Sequence, residues 1–306
     1  MTHRVARLVL GLVLSLYLGL TVILSNPFDP GGGLAETRVV VGPRSCDGGE
    51  EGVVLVHSYA GHVEMREAQR KAKGILGAEN LRFIFILFTS PEVDMGAVMN
   101  ESKTHGDILL GERQESYRGL VFKHILGISW LVQHCSQVKY VIKMDDDISV
   151  DFPRLLSTAS PLLTSPLHVA GLLQLRLPIL RGRGSKWSVA REELQGSHYP
   201  PFLSGWCYVG QPQAFRAILD VLQGEEDTFW VDDVWVTGLL GAKAGLQLVS
   251  LNMYYTVYKE HLGCCVAQPD LKCPYIVAPT DWSTGIIVQA AEHNNRWATH
   301  SRFFLY

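Results

Sequence analysis

Nearly every side chain from Leu81 to Thr89 is apolar. A strand with one wet face alternates apolar and polar residues, so a run without alternation must be covered on both faces. Gly52–Ser58 has the same character. Downstream, Ser116–Cys135 carries Tyr117, Leu120, Val121, His124, Ile128, Leu131, Val132 and Cys135 at the spacing of an amphipathic helix. His124 on that stripe reads as a packed core residue. The helix leads into a further apolar run, Tyr140–Met144. Strand, helix and strand in succession predict an α/β fold with a parallel sheet and crossovers. Asp107–Leu110 and His168–Leu175 are shorter strand candidates, and Gln213–Leu222 a short helix. Glu64–Lys73 reads as a polar helix closed by Gly74, with Arg66 and Arg70 on one face.

The run Tyr140–Met144 ends in Asp145-Asp146-Asp147. A strand that ends in carboxylates places them at the sheet edge where α/β folds bind ligands. Alternation would send Asp145 and Asp147 to one side and Asp146 to the other. Packed like charges repel unless protons or a cation relieve them. A hard divalent ion with oxygen ligands is the natural counter-charge, and such ions also hold phosphates. The plainer reading is a solvated acidic turn. A second acidic pair, Asp232-Asp233, sits between Trp230-Val231 and Val234-Trp235. Desolvation raises a carboxylate pKa, which suits a general base; the plainer role is a helix cap.

The chain has 306 residues, enough for one large domain or two smaller ones. A net charge of −3 and the lack of a long basic run exclude an electrostatic case for nucleic acid. Leu8–Leu24 contains no charge, follows His3, Arg4 and Arg7, and has no good cleavage site. It reads as an uncleaved signal anchor with the N-terminus cytosolic. The expected organisation is a tail over 1–7, a transmembrane helix over 8–25, a Pro- and Gly-rich stem over 26–51 and a domain over 52–306. All six cysteines lie beyond the anchor, where disulfides are expected, although six cysteines allow 15 pairings. Asn100-Glu101-Ser102 is a glycosylation sequon, in keeping with a luminal location.

Five segments occur in an order that resembles the β-1,3-glycosyltransferase family of galactosyltransferases, N-acetylglucosaminyltransferases and fringe enzymes. They are Arg66-x-x-x-Arg70-x-x-x-Gly74, Asp107 with Glu115-Ser116-Tyr117-Arg118-Gly119-Leu120, Lys139-Tyr140-x-x-Lys143-x-Asp145-Asp146-Asp147, Tyr199-Pro200-Pro201 to Gly205, and Asp232-Asp233-Val234-x-x-x-Gly238. Ala72-Lys73 replaces a usual Thr-Trp, Asp232 a usual Glu, and Trp206-Cys207-Tyr208 a glycine-rich stretch.

The resemblance implies a GT-A fold, a Rossmann-like mixed sheet flanked by helices. It implies inverting transfer of a hexose, galactose first or else an N-acetylhexosamine, from a UDP-sugar with Mn2+. The acceptor would be the 3-hydroxyl of a glycan on protein or lipid. By the same likeness Asp147 is the main metal ligand, with Asp145 and His261 contributing. Asp145 and Asp146 would hold donor hydroxyls, and Arg66 and Arg70 would face the nucleotide. Asp233 would be the base and Asp232 its fallback. The implied setting is the Golgi membrane as a single-pass type II protein with a luminal catalytic domain, alone, as a homodimer or in an enzyme complex. The alternative reading is a catalytically inactive Golgi subunit that binds a partner enzyme.

Overall fold

A computed structural model describes residues 37–182, 185–225 and 227–303. The expected tail, the expected membrane helix and residues 26–36 of the expected stem lie outside the described residues. In chain order the strands and helices are β1 (Val39–Val41), β2 (Gly52–His57), α1 (Val63–Ile75), β3 (Leu81–Thr89), α2 (Met95–His105), β4 (Ile108–Gln114), α3 (Leu120–His134), β5 (Tyr140–Asp145), β6 (Ile148–Val150), α4 (Phe152–Ala159), β7 (His168–Gln174), β8 (Phe202–Gly210), α5 (Pro212–Leu222), β9 (Gln247–Ser250), α6 (Lys259–Ala267), β10 (Val277–Pro279) and α7 (Thr284–Phe303). A π-helix, Val234–Leu240, follows the second acidic pair.

Eight strands form one sheet in the order β1-β4-β3-β2-β5-β8-β7-β9. β4, β3, β2 and β5 run parallel, as the buried runs and crossover helices require. β8 is antiparallel to both β5 and β7, so the sheet is mixed. The expectation of a mixed sheet flanked by helices therefore holds. Side chains alternate across the sheet. Val54, Val56, Phe83, Phe85, Ile142 and Met144 join the core that includes Met65 and Ala68 of α1 and Ile287 and Ala291 of α7. On the opposite face α3 comes so close that a Cβ on Gly127 would meet Ile86 at 2.2 Å. Both faces are covered, which explains why β2 and β3 lack alternation.

Three local expectations change. The expected stem is not separate from the domain throughout: β1 pairs antiparallel with β4, and Cys46 is disulfide-bonded to Cys135 at the end of α3. Pro and Gly mark the segment as irregular, but they do not prevent a covalent tie and an edge strand. Of the aromatic, turn-like stretch Tyr199–Val209, the part from Phe202 onward belongs to the long inner strand β8, because sheet position overrides local propensity. Finally, β5 stops at Asp145, and Asp146-Asp147 form the turn into β6. Strand alternation ends there, and all three carboxylates border the same cleft. A second disulfide joins Cys265 to Cys273, while Cys207 is free and buried and Cys264 free and exposed.

Candidate active site

A cleft of about 850 Å³ opens at the C-terminal ends of β2 and β5, where a parallel sheet leaves room for ligands. Asp145, Asp146 and Asp147 form part of its wall, and so do Asp232 and Asp233. The two acidic clusters, distant in sequence, thus share one cavity. β8 brings them together. It pairs with β5, which carries the first cluster, while Leu203 N–H donates to Thr237 Oγ1 and Gly205 N–H to Asp233 Oδ2, at 2.9 and 3.2 Å.

Each carboxylate has its own surroundings. Asp145 Oδ1 accepts from the buried Lys143 ammonium at 2.7 Å. Burial nevertheless pushes the Asp145 carboxyl up to about 7, helped by the neighbouring Asp147 and Asp232 charges. Asp146 Oδ2 accepts from Ser58 Oγ at 2.7 Å and is hydrogen-bonded to His62 Nδ1 at 3.0 Å. Gln69 Nε2 donates to the Asp146 and Ile148 carbonyls, both at 2.8 Å, and fixes the turn. Asp147 is raised above the ordinary carboxylate range by burial and by Asp146 beside it. Its carbonyl, in turn, accepts two hydrogen bonds from Thr280.

At the other end, Asp233 is pushed up to about 7 by burial and by the charge of Asp232. Burial acts on Asp232 as well, but a hydrogen bond from His124 and the charge of Lys143 outweigh it and leave its pKa lowered. His124 is buried and its pKa is depressed by desolvation, so the ring is neutral. Burial also keeps the Tyr208 hydroxyl protonated. Tyr208 O–H then donates to His124 Nε2, and His124 Nδ1–H donates to Asp232 Oδ2 at 3.1 Å. Asp232 is held ionised by this chain. Of this pair, Asp233 is the carboxylate whose protonation changes near neutral pH, which is the property of a general base; Asp145, raised to a similar value, is bonded to the Lys143 ammonium instead.

Other expected site residues lie elsewhere. Arg66 is fully buried and donates to Glu101, to the Tyr59 and Ala60 carbonyls and to Ser58 Oγ. Arg70 is tied to Glu67, Glu101 and Asp107. Neither lines the cleft, because Glu101 on α2 and Asp107, just before β4, draw the pair inward. Arg66 supports the site indirectly, through Ser58, which bonds Asp146, and through the carbonyl of Tyr59, which lines the cleft. His261 bonds Thr256 Oγ1 at 2.8 Å and stacks on Tyr275, and it too lies outside the cleft lining. Asn100 is exposed on α2, where an attached glycan would project into solvent.

Among the described residues no group of three or more His, Cys, Asp or Glu side chains is placed to cage a metal. The donor set suits a different arrangement. Asp145 and Asp146 are engaged by Lys143, Ser58 and His62, which leaves Asp147 with the freest carboxylate. Ions of the magnesium type use one or two carboxylates together with substrate phosphates, and not a full protein cage. Lys143 and His62 join the site although the sequence reading assigns neither a role there. The signal for Lys143 was its inward position two residues before Asp145 on a buried strand. For His62 there was none.

The family model described as "Galactosyltransferase" matches residues 64–252. Beta-1,3-galactosyltransferase 5 of Homo sapiens is 26% identical over 230 residues, covering 73% of this chain and 74% of that protein. Beta-1,3-galactosyltransferase 5 of Mus musculus is 28% identical over 238 residues, covering 76% of each. A solved structure of the galactosyltransferase LgtC with donor and acceptor sugar analogs superposes with a TM-score of 0.40 at 10% identity, covering 81% of this chain and 95% of that one.

Proposed function

The chain belongs to the galactosyltransferase family and is a hexosyltransferase, and from that premise we propose inverting transfer of galactose from UDP-galactose to the 3-hydroxyl of an acceptor glycan. The observation that carries this reading is the shared cleft, with the triple-aspartate turn and Asp232-Asp233 in the walls of one cavity. The β-1,3-galactosyltransferase relatives favour the donor and the linkage.

A single displacement needs one base and no covalent intermediate, unlike the retaining route with two close carboxylates. Asp233, unprotonated, accepts the proton of the acceptor hydroxyl as that oxygen attacks the anomeric carbon. The bond to the diphosphate breaks on the opposite face, and UDP departs. Asp232, kept ionised by His124, holds the Asp233 pKa near neutrality by like-charge repulsion. A divalent cation held by Asp147, with Asp145 beside it, would neutralise charge on the departing diphosphate. Mn2+ is the ion we propose.

The two disulfides favour an oxidising compartment. With Leu8–Leu24 as signal anchor, that compartment is the Golgi lumen.

The test is UDP release from UDP-galactose by the purified protein, with and without Mn2+, followed by linkage determination by NMR on the product. Expected are metal-dependent release, a β-1,3 linkage, and loss of turnover in Asp147→Ala and Asp233→Asn. Undiminished turnover by Asp233→Asn would remove that residue as base. Metal-independent transfer would remove the cation.

A further inference from the structure

β10 runs antiparallel to β6, with Pro279 opposite Ile148. β6 begins directly after the Asp146-Asp147 turn, so the chain leaving β10 must emerge beside that turn. Thr280 fastens it there: its N–H and its Oγ1 both donate to the Asp147 carbonyl, at 3.0 and 2.7 Å. The next two residues, Asp281 and Trp282, have φ of 52° and 63°. Both lie in the left-handed region, which side chains other than glycine's seldom occupy.

The surroundings hold this loop in place. Asp281 is ion-paired with Lys259. Ser283 N–H donates to the Thr280 carbonyl at 3.1 Å, and the Ser283 carbonyl accepts from Ile287 in the first turn of α7. Yet Trp282 is 58% exposed and forms part of the cleft wall. Its ring meets His62 edge-on with centroids 4.9 Å apart, and His62 is the residue bonded to Asp146. Tyr59 also packs edge-on against His62, with centroids 5.1 Å apart. Backbone strain at two successive residues persists only where the fold over-determines it, and it collects at ligand clamps. Here it displays a large, exposed aromatic face from a rigid mount.

The cleft has a direction. Its contacts run in sequence from Asp233 to Gly205, from Gly205 to Lys143 and from Lys143 to Asp145 at the end of β5, and on the far side of the turn from Asp146 to His62 and from His62 to Trp282. A nucleotide-sugar with its diphosphate at the turn and its anomeric carbon towards Asp233 must send its nucleoside the other way. We propose that Trp282 is the stacking platform for the donor's nucleoside and that the Thr280–Ser283 turn is built to present it. The assignment rests on the nucleotide-sugar reading above. Bases stack on aromatic rings through their faces, so the platform supplies affinity and orientation and no base-specific hydrogen bond.

Two probes separate the nucleoside from the diphosphate: UDP and inorganic pyrophosphate, each titrated with Mn2+ into the purified full chain by calorimetry. In Trp282→Ala, UDP binding is expected to weaken by roughly 10-fold or more, with pyrophosphate binding unchanged. Trp282→Phe is expected to recover most of the loss. In turnover, KM for the nucleotide-sugar rises while kcat holds. Unchanged UDP affinity in Trp282→Ala overturns the assignment alone. Equal loss of UDP and pyrophosphate also overturns it, since the loop would then merely support the Asp turn. Wild type that binds pyrophosphate but not UDP, or neither, removes the nucleotide-sugar reading and this proposal together. Thermal melts of both variants establish that the exposed side chain was removed without loss of the fold.

Discussion

Lys143 and Asp233 are joined through a single residue. The Lys143 ammonium donates to the Gly205 carbonyl, and the Gly205 N–H donates to Asp233 Oδ2 at 3.2 Å. One residue of β8 thus couples the buried cation under the triple-aspartate turn to the proposed base. A Cβ at position 205 would lie 3.1 Å from Lys143 Nζ and 3.4 Å from Asp233 Cβ.

That crowding makes Gly205→Ala informative. The added methyl must displace Lys143, Asp233 or both by a fraction of an ångström. A misplacement of about 1 Å can cost on the order of 10²-fold in rate, so a fall of roughly 10-fold in kcat is expected with the thermal midpoint nearly unchanged. Wild-type kcat in a folded Gly205→Ala protein would show that the bridge does not position the base.

The pH profile follows from Asp233. Its carboxyl is pushed up to about 7 by burial and by Asp232, so it is protonated and idle as a base below that pH. The value of kcat/KM at saturating Mn2+ should rise with pH through an inflection near 7. Asp232→Asn removes the like charge and should move the inflection to lower pH; a profile without any inflection would count against Asp233. Stability carries the opposite sign. An unfolded aspartate loses its proton near 3.9, while the folded Asp233 keeps it to about 7. Within that window the native state binds more protons, so this residue's contribution to stability falls as pH rises. In Asp233→Asn the thermal midpoint should fall less between about pH 5 and pH 8, and turnover should drop by about 10²–10⁴-fold.

Lys143 is fully buried, and burial would lower its pKa were it not outweighed by Asp145, Asp232 and Asp233. Lys143→Met removes the buried ammonium that Asp145, Asp232 and Asp233 share. Breaking a buried ion pair from one side costs about 3–5 kcal/mol, and urea unfolding should show a loss of that order. Part of the loss should return at low pH, where the carboxylates take up protons. An unchanged urea midpoint would mean the ammonium is not the balancing charge.

Arg66 and Arg70 separate a structural from a nucleotide-binding role. Arg66→Ala leaves Glu101 with Arg70 as its one cation and frees the Tyr59 and Ala60 carbonyls in the core, and should destabilise the fold by about 3 kcal/mol. Arg70→Ala should cost less, since its side chain is partly solvated. UDP affinity measured on the folded fraction should be unchanged in both. A tenfold loss of UDP affinity in folded Arg70→Ala would restore the expectation drawn from the sequence.

Some of this architecture could be read without coordinates. The unalternating runs Gly52–His57 and Leu81–Thr89 identified inner parallel strands, and the stripe from Val121 to Cys135 identified their covering helix, because periodicity records which faces are buried. The acidic residues that border the cleft were visible too, as charge placed against apolar strand ends. The order of the motifs identified the family. Which carboxylate carries which charge was decided by tertiary structure alone. Asp232 and Asp233 are adjacent and chemically alike, yet one meets His124 from α3 and the other meets only backbone N–H groups. Arg66 and Arg70 share a helix face in sequence, but that face packs against Glu101 and Asp107, which no local spacing reveals. Trp282 reaches the cleft only because β10 pairs with β6. Burial periodicity is a local property of the chain, whereas a pKa, an ion pair or a cleft wall depends on which distant segments the sheet order brings together.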